Sequence, residues 1–214
     1  MPSKAFSAFK DNLQQVNRLL ATYDSELNKN HGKGKRGLDH LTRAGLIFLC
    51  SAFEVYVESV TRESGKIITD RINVPSKFPL SVQKKIANAV KQEKNELSPI
   101  LYYDDWKRYY NELILYDTRH LNTPKLNNVM TLFENYFGIE KSAFDIDNFP
   151  LTGVDDIVSI RGDVAHNIFT TSYLKRAKLV EYYDTIKEAA MYLDEMLYDE
   201  LPKIIGRKPW NKTY

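Results

Sequence analysis

Residues 38 to about 68 form the segment that most restricts how this chain can fold. Leu46, Ile47, Phe48, Leu49, Ala52, Phe53, Val55, Tyr56 and Val57 leave almost no polar face in its middle. A helix apolar all round belongs at the centre of a bundle, buried by its neighbours. Glu54 is the anomaly within it, because a buried carboxylate must be paired or must shift its pKa. The segment therefore predicts both a central helix and a cationic partner for Glu54.

The other segments read as helices packed around that centre. Phe6, Phe9, Leu13, Val16, Leu20, Tyr23 and Leu27 recur at alternating steps of three and four, the stripe of a first helix. Pro75, Pro79 and Pro99 punctuate the next region. Amphipathic helices are expected there over 81–93 and over 104–117, the second carrying Trp106, Tyr109, Tyr110, Leu113 and Ile114. Thr123 and Pro124 read as the N-cap and first residue of a helix that Gly138 stops after Phe137. Thr152 with Asp155 resembles a capping box, and Asp155 and Asp156 suit the positive end of the helix they would open. A last helix, about 172 to 201, shows Leu179, Tyr183, Ile186, Ala190, Leu193 and Leu197 at near-heptad spacing. No alternating strand, internal repeat or low-complexity tract stands out. The fold class expected is all-α, one domain over 1–214 with a basic loop at 29–36 and a C-terminal tail at 202–214.

Composition fits one folded unit: 214 residues, 43% hydrophobic and 27% charged. The net charge of +2 is too small for the whole-protein field to hold nucleic acid, so local charge matters more. Residues 29–36, KNHGKGKR, hold Lys33, Lys35 and Arg36 and no acid, and these are the candidate contacts to an RNA backbone. A solvated connector between helices is the plainer reading of that loop and the preferred one. The N-terminus lacks the apolar core of a secretory signal, and Glu54 and Glu58 interrupt the longest apolar run, so no membrane span is expected. The single cysteine, Cys50, cannot form an intrachain disulfide, which fits a cytoplasmic protein, and it reads as a small buried hydrophobe.

Chemistry concentrates in residues 160–167, IRGDVAHN. On a helix beginning near Val154 the apolar stripe is Ile157, Val158, Val164, Ala165 and Ile168, and Arg161 falls on it. An arginine at an apolar position is either paired inside the fold or aimed at a cleft. His166 lies five residues on, about 140° round and about 7.5 Å along, so only the reach of the arginine could bring both to one substrate. Gly162 and Asp163 could also break the helix, with Asp163 capping a new one; the sequence leaves both arrangements open. No cysteine pair, HExxH or carboxylate cluster has metal-ligand spacing, and His31, His40 and His120 stand singly, so no metal or other cofactor is expected. GKGKRG at 32–37 lacks the Lys-Ser or Lys-Thr of a phosphate loop, and Ser51 lacks the context of a nucleophile elbow.

The run I-R-G-D-V-A-H-N resembles the R-x4-6-H signature of the HEPN superfamily, whose members are all-α ribonucleases or their inactive relatives. LIFLCSAFEVYVES is similar to the second helix of its RiboL-PSP type, and NTPKLNNVMTLFENYFGI to the segment before that type's motif. The resemblance implies a helical bundle with additional helices between the second core helix and the motif helix. It implies a homodimer in which Arg161 and His166 of both copies line one cleft and cut RNA without a metal. Asp163, Asn167 and Glu54 would support the pair. The position after the arginine, often Asn, Asp or His in the family, is Gly162 here, with Asp163 one place later.

The chemistry suits those residue types on its own terms. Cleavage of RNA by its own 2′-hydroxyl needs a base, an acid and positive charge beside a crowded phosphorane. Histidine exchanges protons at neutral pH, and arginine grips two phosphate oxygens at once. The expectation is a metal-independent endoribonuclease, with an antitoxin or sensor as possible protein partner by resemblance to toxin and antiviral defence systems. A catalytically inactive HEPN module that binds RNA or protein as a regulatory or assembly subunit is the rival, and a purely structural helical interaction protein is a third. Pairing of Arg161 with Glu54 would account for both anomalies without catalysis.

Overall fold

The computed structural model describes residues 2–29, 35–92, 105–121, 123–166 and 174–211. Among these residues the regular secondary structure is all helical, with no strand. The helices are α1 (Lys4–Lys29), α2 (Asp39–Arg71), α3 (Leu80–Gln92), α4 (Trp106–Arg119), α5 (Leu126–Phe137), α6 (Val154–His166), α7 (Arg176–Glu200) and the short α8 (Pro202–Ile205). The expected all-α class and the helices between the central helix and the motif helix are both present.

The 33 residues of α2 make it the axis, and α1, α4, α6 and α7 pack on it while α3 packs on α5. Leu46, Leu49, Phe53, Tyr56, Val57 and Val60 are each at most 1% exposed. Every such large side chain contributes about 1.5–3 kcal/mol by leaving water. Two glycines set how closely the neighbours approach: a Cβ at Gly45 would meet Leu179 Cδ2 at 2.6 Å, and one at Gly65 would overlap Ile114 Cδ1. The first helix delivers its predicted stripe, with Phe6, Phe9, Leu13, Val16 and Tyr23 buried. Its N-terminal amides are met by Ser3 Oγ, which accepts from Phe6 N at 2.9 Å, and by Glu63 of α2, which accepts from Lys4 N and Ala5 N at 3.0 and 2.8 Å.

Three expectations require correction. The middle of α2 is not buried all round, since Phe48 and Val55 are 47% and 49% exposed. Thr123 does not cap α5, which begins at Leu126 after an extended Lys125; the first amide, Leu126 N, donates instead to Asp155 Oδ1 at 2.7 Å. That bond also withdraws Asp155 from the expected box with Thr152, so the carboxylate at the start of α6 ties two helices together rather than capping its own. Gly138 ends α5 as expected, in the left-handed region at φ 69°.

Away from α6, one buried polar cluster is closed within itself. Tyr110 Oη donates to Tyr136 O at 2.6 Å, Tyr136 Oη to Asp117 Oδ2 at 2.7 Å, and Lys85 Nζ stands 2.9 Å from the same carboxylate oxygen. Burial, then the bond to Asp117, pushes the Tyr136 hydroxyl well above the ordinary tyrosine range.

Candidate functional site

The motif helix runs unbroken from Val154 to His166, through Gly162 and Asp163. Val154, Ile157, Val158 and Val164 are buried and Arg161 is half-buried on the same stripe, whereas Ala165, expected inside, is exposed. A Cβ built on Gly162 would meet nothing within 4 Å. Glycine is therefore required there neither by packing nor by a left-handed backbone.

Arg161 faces α2. Cys50 Sγ lies 4.0 Å from Ile157 O, and one turn further along both helices Glu54 and Arg161 feel each other's charge, so α2 and α6 run side by side in the same direction. Burial raises the Glu54 carboxyl above its usual range; Arg161 works against that rise and Glu58 adds to it. The expected pairing is only partly realised. No Arg161–Glu54 salt bridge closes among the described residues, and Arg161 Nε is buried without a hydrogen-bond partner. Glu58 has its own cation, Arg62, at 2.8 Å. Beside them burial pushes the Cys50 thiol up to about 12, so it stays protonated at neutral pH and reads as the small buried hydrophobe expected.

Asp163 stands apart from this cluster. It lines a groove of about 490 Å³ between α6 and α7 with Asp156, Ser159, Lys178, Glu181 and Tyr182. It lies two residues after Arg161, about 200° round the helix from it. His166 is the last residue of α6; its side chain, and those of Lys35 and Arg36 in the 3-10 turn Lys35–Leu38, lie outside what the structure describes. Lys33 and Asn167 lie outside the described residues altogether. The description resumes at Leu174, whose carbonyl accepts from Thr42 Oγ1 at 2.8 Å. Among the described residues no three His, Cys, Asp or Glu side chains gather as a metal site would require.

What the sequence did not single out is the exposed stripe beside Glu54. Phe48, Ser51, Ala52 and Val55 of α2, with Asn12 and Gln15 of α1, line a depression of about 230 Å³. A helical-wheel reading of polar positions would have missed it, because every residue in it except Ser51 and the two amides is apolar.

A comparison with protein families matches residues 11–199 to the family described as RiboL-PSP-HEPN. The chain belongs to the RiboL-PSP-HEPN family. The match takes in the central helix, the segment before the motif, and the motif helix, the three stretches on which the resemblance was drawn. Comparisons with curated proteins and with solved structures found no match. A HEPN domain points to chemistry on RNA or nucleotides.

Proposed function

We propose that this RiboL-PSP-HEPN protein is a metal-independent endoribonuclease acting as a homodimer, with Arg161 and His166 as its catalytic residues. The observation that carries this reading is the Arg161 guanidinium, half-buried on the motif helix with its Nε unpartnered. A desolvated N–H donor without an acceptor is destabilising by about 1–3 kcal/mol, and a bound phosphate oxygen removes that penalty. Glu54, close enough to feel the guanidinium yet not joined to it, holds Arg161 in place without occupying its donors. Asp163, three residues before His166 in the chain, would orient the imidazole, and Asn167 follows it.

In the reaction, a histidine takes the proton from the ribose 2′-hydroxyl and O2′ attacks phosphorus. The phosphorane places its extra negative charge against Arg161. The P–O5′ bond then breaks as a second histidine protonates O5′, leaving a 2′,3′-cyclic phosphate and a 5′-hydroxyl. One chain supplies one His166, and positions 161 and 166 lie about 140° apart on a straight helix, so the second proton donor comes from a second copy. The protein acts in the cytoplasm, with an antitoxin or sensor restraining it as in toxin or antiviral defence systems; Lys33, Lys35 and Arg36 would add backbone contacts. The test is incubation of the purified protein with labelled single-stranded RNA and tRNA in excess EDTA, beside folded Arg161→Ala and His166→Ala variants. Cleavage lost in both variants is the expected result. Intact RNA with the wild type removes the nuclease reading. Gly162, where relatives often carry a polar residue, then favours an inactive HEPN module that binds RNA or protein as a regulatory or assembly subunit.

A further inference from the structure

We infer that the outer face of the last turn of α4, formed by Tyr116, Arg119 and His120, is a subsite for one unpaired nucleotide of a single-stranded RNA, separate from the motif pair. Tyr116 is 63% exposed, in a helix whose Tyr109 and Tyr110 are buried. The core makes no use of this ring, yet the ring is held. The His120 imidazole packs against it with 4.3 Å between ring centres, and His120 Nδ1 donates to Tyr116 O at 2.7 Å. Two adjoining rings thus face water, a π surface on which a base can stack whatever its identity. Arg119 belongs to the same turn, exposed and with no ion-pair or hydrogen-bond partner among the described residues. The two carboxylates of α4 do not neutralise it. Glu112 is paired with Arg108 at 3.2 Å, and Asp117 is taken by Tyr136 and Lys85. An aromatic pair alone would suit any flat apolar group, whereas a free guanidinium beside it calls for an anion within reach of a planar ring. A nucleotide carries both, and arginine meets its phosphate with two donors. In a duplex the bases are stacked on one another, so the subsite selects a single strand.

The nucleotide class follows from the chemistry of this turn; the path of the strand rests on the nuclease reading above. Thr118 Oγ1 accepts from Arg62 Nε of α2 at 2.8 Å, while Arg62 Nη2 holds Glu58 at 2.8 Å. Round α4, Arg119 lies about 100° from Thr118 and Tyr116 about 160° from it in the same sense. Arg62, Arg119 and Tyr116 therefore follow one another around the helix. Along α2, Arg62 is eight residues beyond Glu54, the residue that feels the charge of Arg161, or about 12 Å on. That span takes three or four nucleotides at about 3.4 Å each. A strand cut at Arg161 passes Arg62 and Arg119 and lays a base on Tyr116.

The experiment is fluorescence anisotropy in EDTA with a labelled 2′-O-methyl oligouridylate, a single strand that lacks the attacking hydroxyl and stays intact. Tyr116→Ala should weaken binding about five- to 150-fold, and Tyr116→Phe, which keeps the ring, should bind as the wild type does. Arg119→Ala should weaken binding and lower the salt dependence by about one phosphate. Phe149→Ala, at an equally exposed ring on another loop, should change nothing. Urea midpoints of the four variants should match the wild type, so that altered binding reports the surface. A wild type that does not bind the probe, or binding untouched by both Tyr116→Ala and Arg119→Ala, overturns the subsite. Cleavage of unmodified RNA, measured alongside, separates the two readings. Loss of probe binding in Tyr116→Ala with no cleavage by the wild type keeps the subsite and removes the nuclease. Cleavage with an unchanged KM in Tyr116→Ala, together with unchanged probe binding, keeps the nuclease and removes the subsite.

Discussion

Around Tyr136 and around Arg161 the chain buries polar side chains of similar reach, and it partners them differently. Tyr110, Tyr136, Asp117 and Lys85 close into a network in which each donor has an acceptor within 2.9 Å. At α6, Arg161 Nε is buried with no acceptor, Glu54 is held above its usual pKa, and the two do not close to a salt bridge. A satisfied network rigidifies a scaffold, and an unsatisfied one is stable only if the rest of the fold supports it. The contrast separates a closed polar network on α3, α4 and α5 from an open one between α2 and α6.

The largest effect that could break this contrast lies in activity. His166→Ala should lower RNA cleavage by about 10²–10⁴-fold, the usual contribution of a positioned acid or base, with the thermal midpoint essentially unchanged. Arg161→Met should likewise remove cleavage while leaving stability to urea unchanged or slightly raised, since it deletes a buried donor that has no partner. A marked loss of stability in Arg161→Met would mean that the arginine belongs to the scaffold after all.

Next in size is the opposite behaviour of the tyrosine network. Tyr110→Phe leaves Tyr136 O without its donor, and Tyr136→Phe takes a hydrogen bond from Asp117; each should destabilise the fold by about 1–3 kcal/mol in urea unfolding. Cleavage per folded molecule should not change. Equal losses of activity and stability would erase the distinction between the two regions.

The sequence revealed the helices more readily than their ends or their surroundings. Periodicity placed 81–93 and 104–117 close to the observed Leu80–Gln92 and Trp106–Arg119, because a stripe at 3.6-residue spacing is a local property. The caps are not legible locally because the group that meets Leu126 N is Asp155, 29 residues away, and local rules see only neighbours. The exposure of Phe48 and Val55 was hidden for a similar reason: hydropathy shows that a face avoids water without showing which molecule covers it. At the site, the anomalous placement of Arg161 and Glu54 was legible because each violates the apolar pattern of its own helix. That they approach without joining was not legible, since it depends on the spacing of two helices packed across the core.

Gly162→Ala tests whether the departure from the family pattern matters. Helical glycine is less favourable than alanine by about 1 kcal/mol, and the open space around a Cβ at this position means the substitution should recover most of it. Cleavage should be unaffected, because α6 is a continuous helix there and alanine keeps its geometry. A gain in stability with loss of cleavage would show that the motif helix must bend at Gly162 during the reaction.

The smallest effect has a sign set by linkage. Glu54 titrates higher in the folded chain than in the unfolded one, first because it is buried and in spite of Arg161. Its folded form therefore binds a proton more tightly, so the carboxyl favours folding below the unfolded pKa and loses that contribution as pH rises through the folded pKa. Glu54→Gln, which is neutral at every pH, should be more stable than the wild type at pH 8 and lose that advantage as the pH falls toward 4, read as the difference in urea midpoints. If Arg161 were instead a true ion-pair partner, the sign would reverse, with the wild type the more stable protein at high pH. The same substitution frees Arg161 from its nearby carboxylate, so phosphate binding should tighten or hold while orientation suffers. In cleavage kinetics this appears as a lower kcat with an unchanged or lower KM, a split that loss of fold alone would not produce.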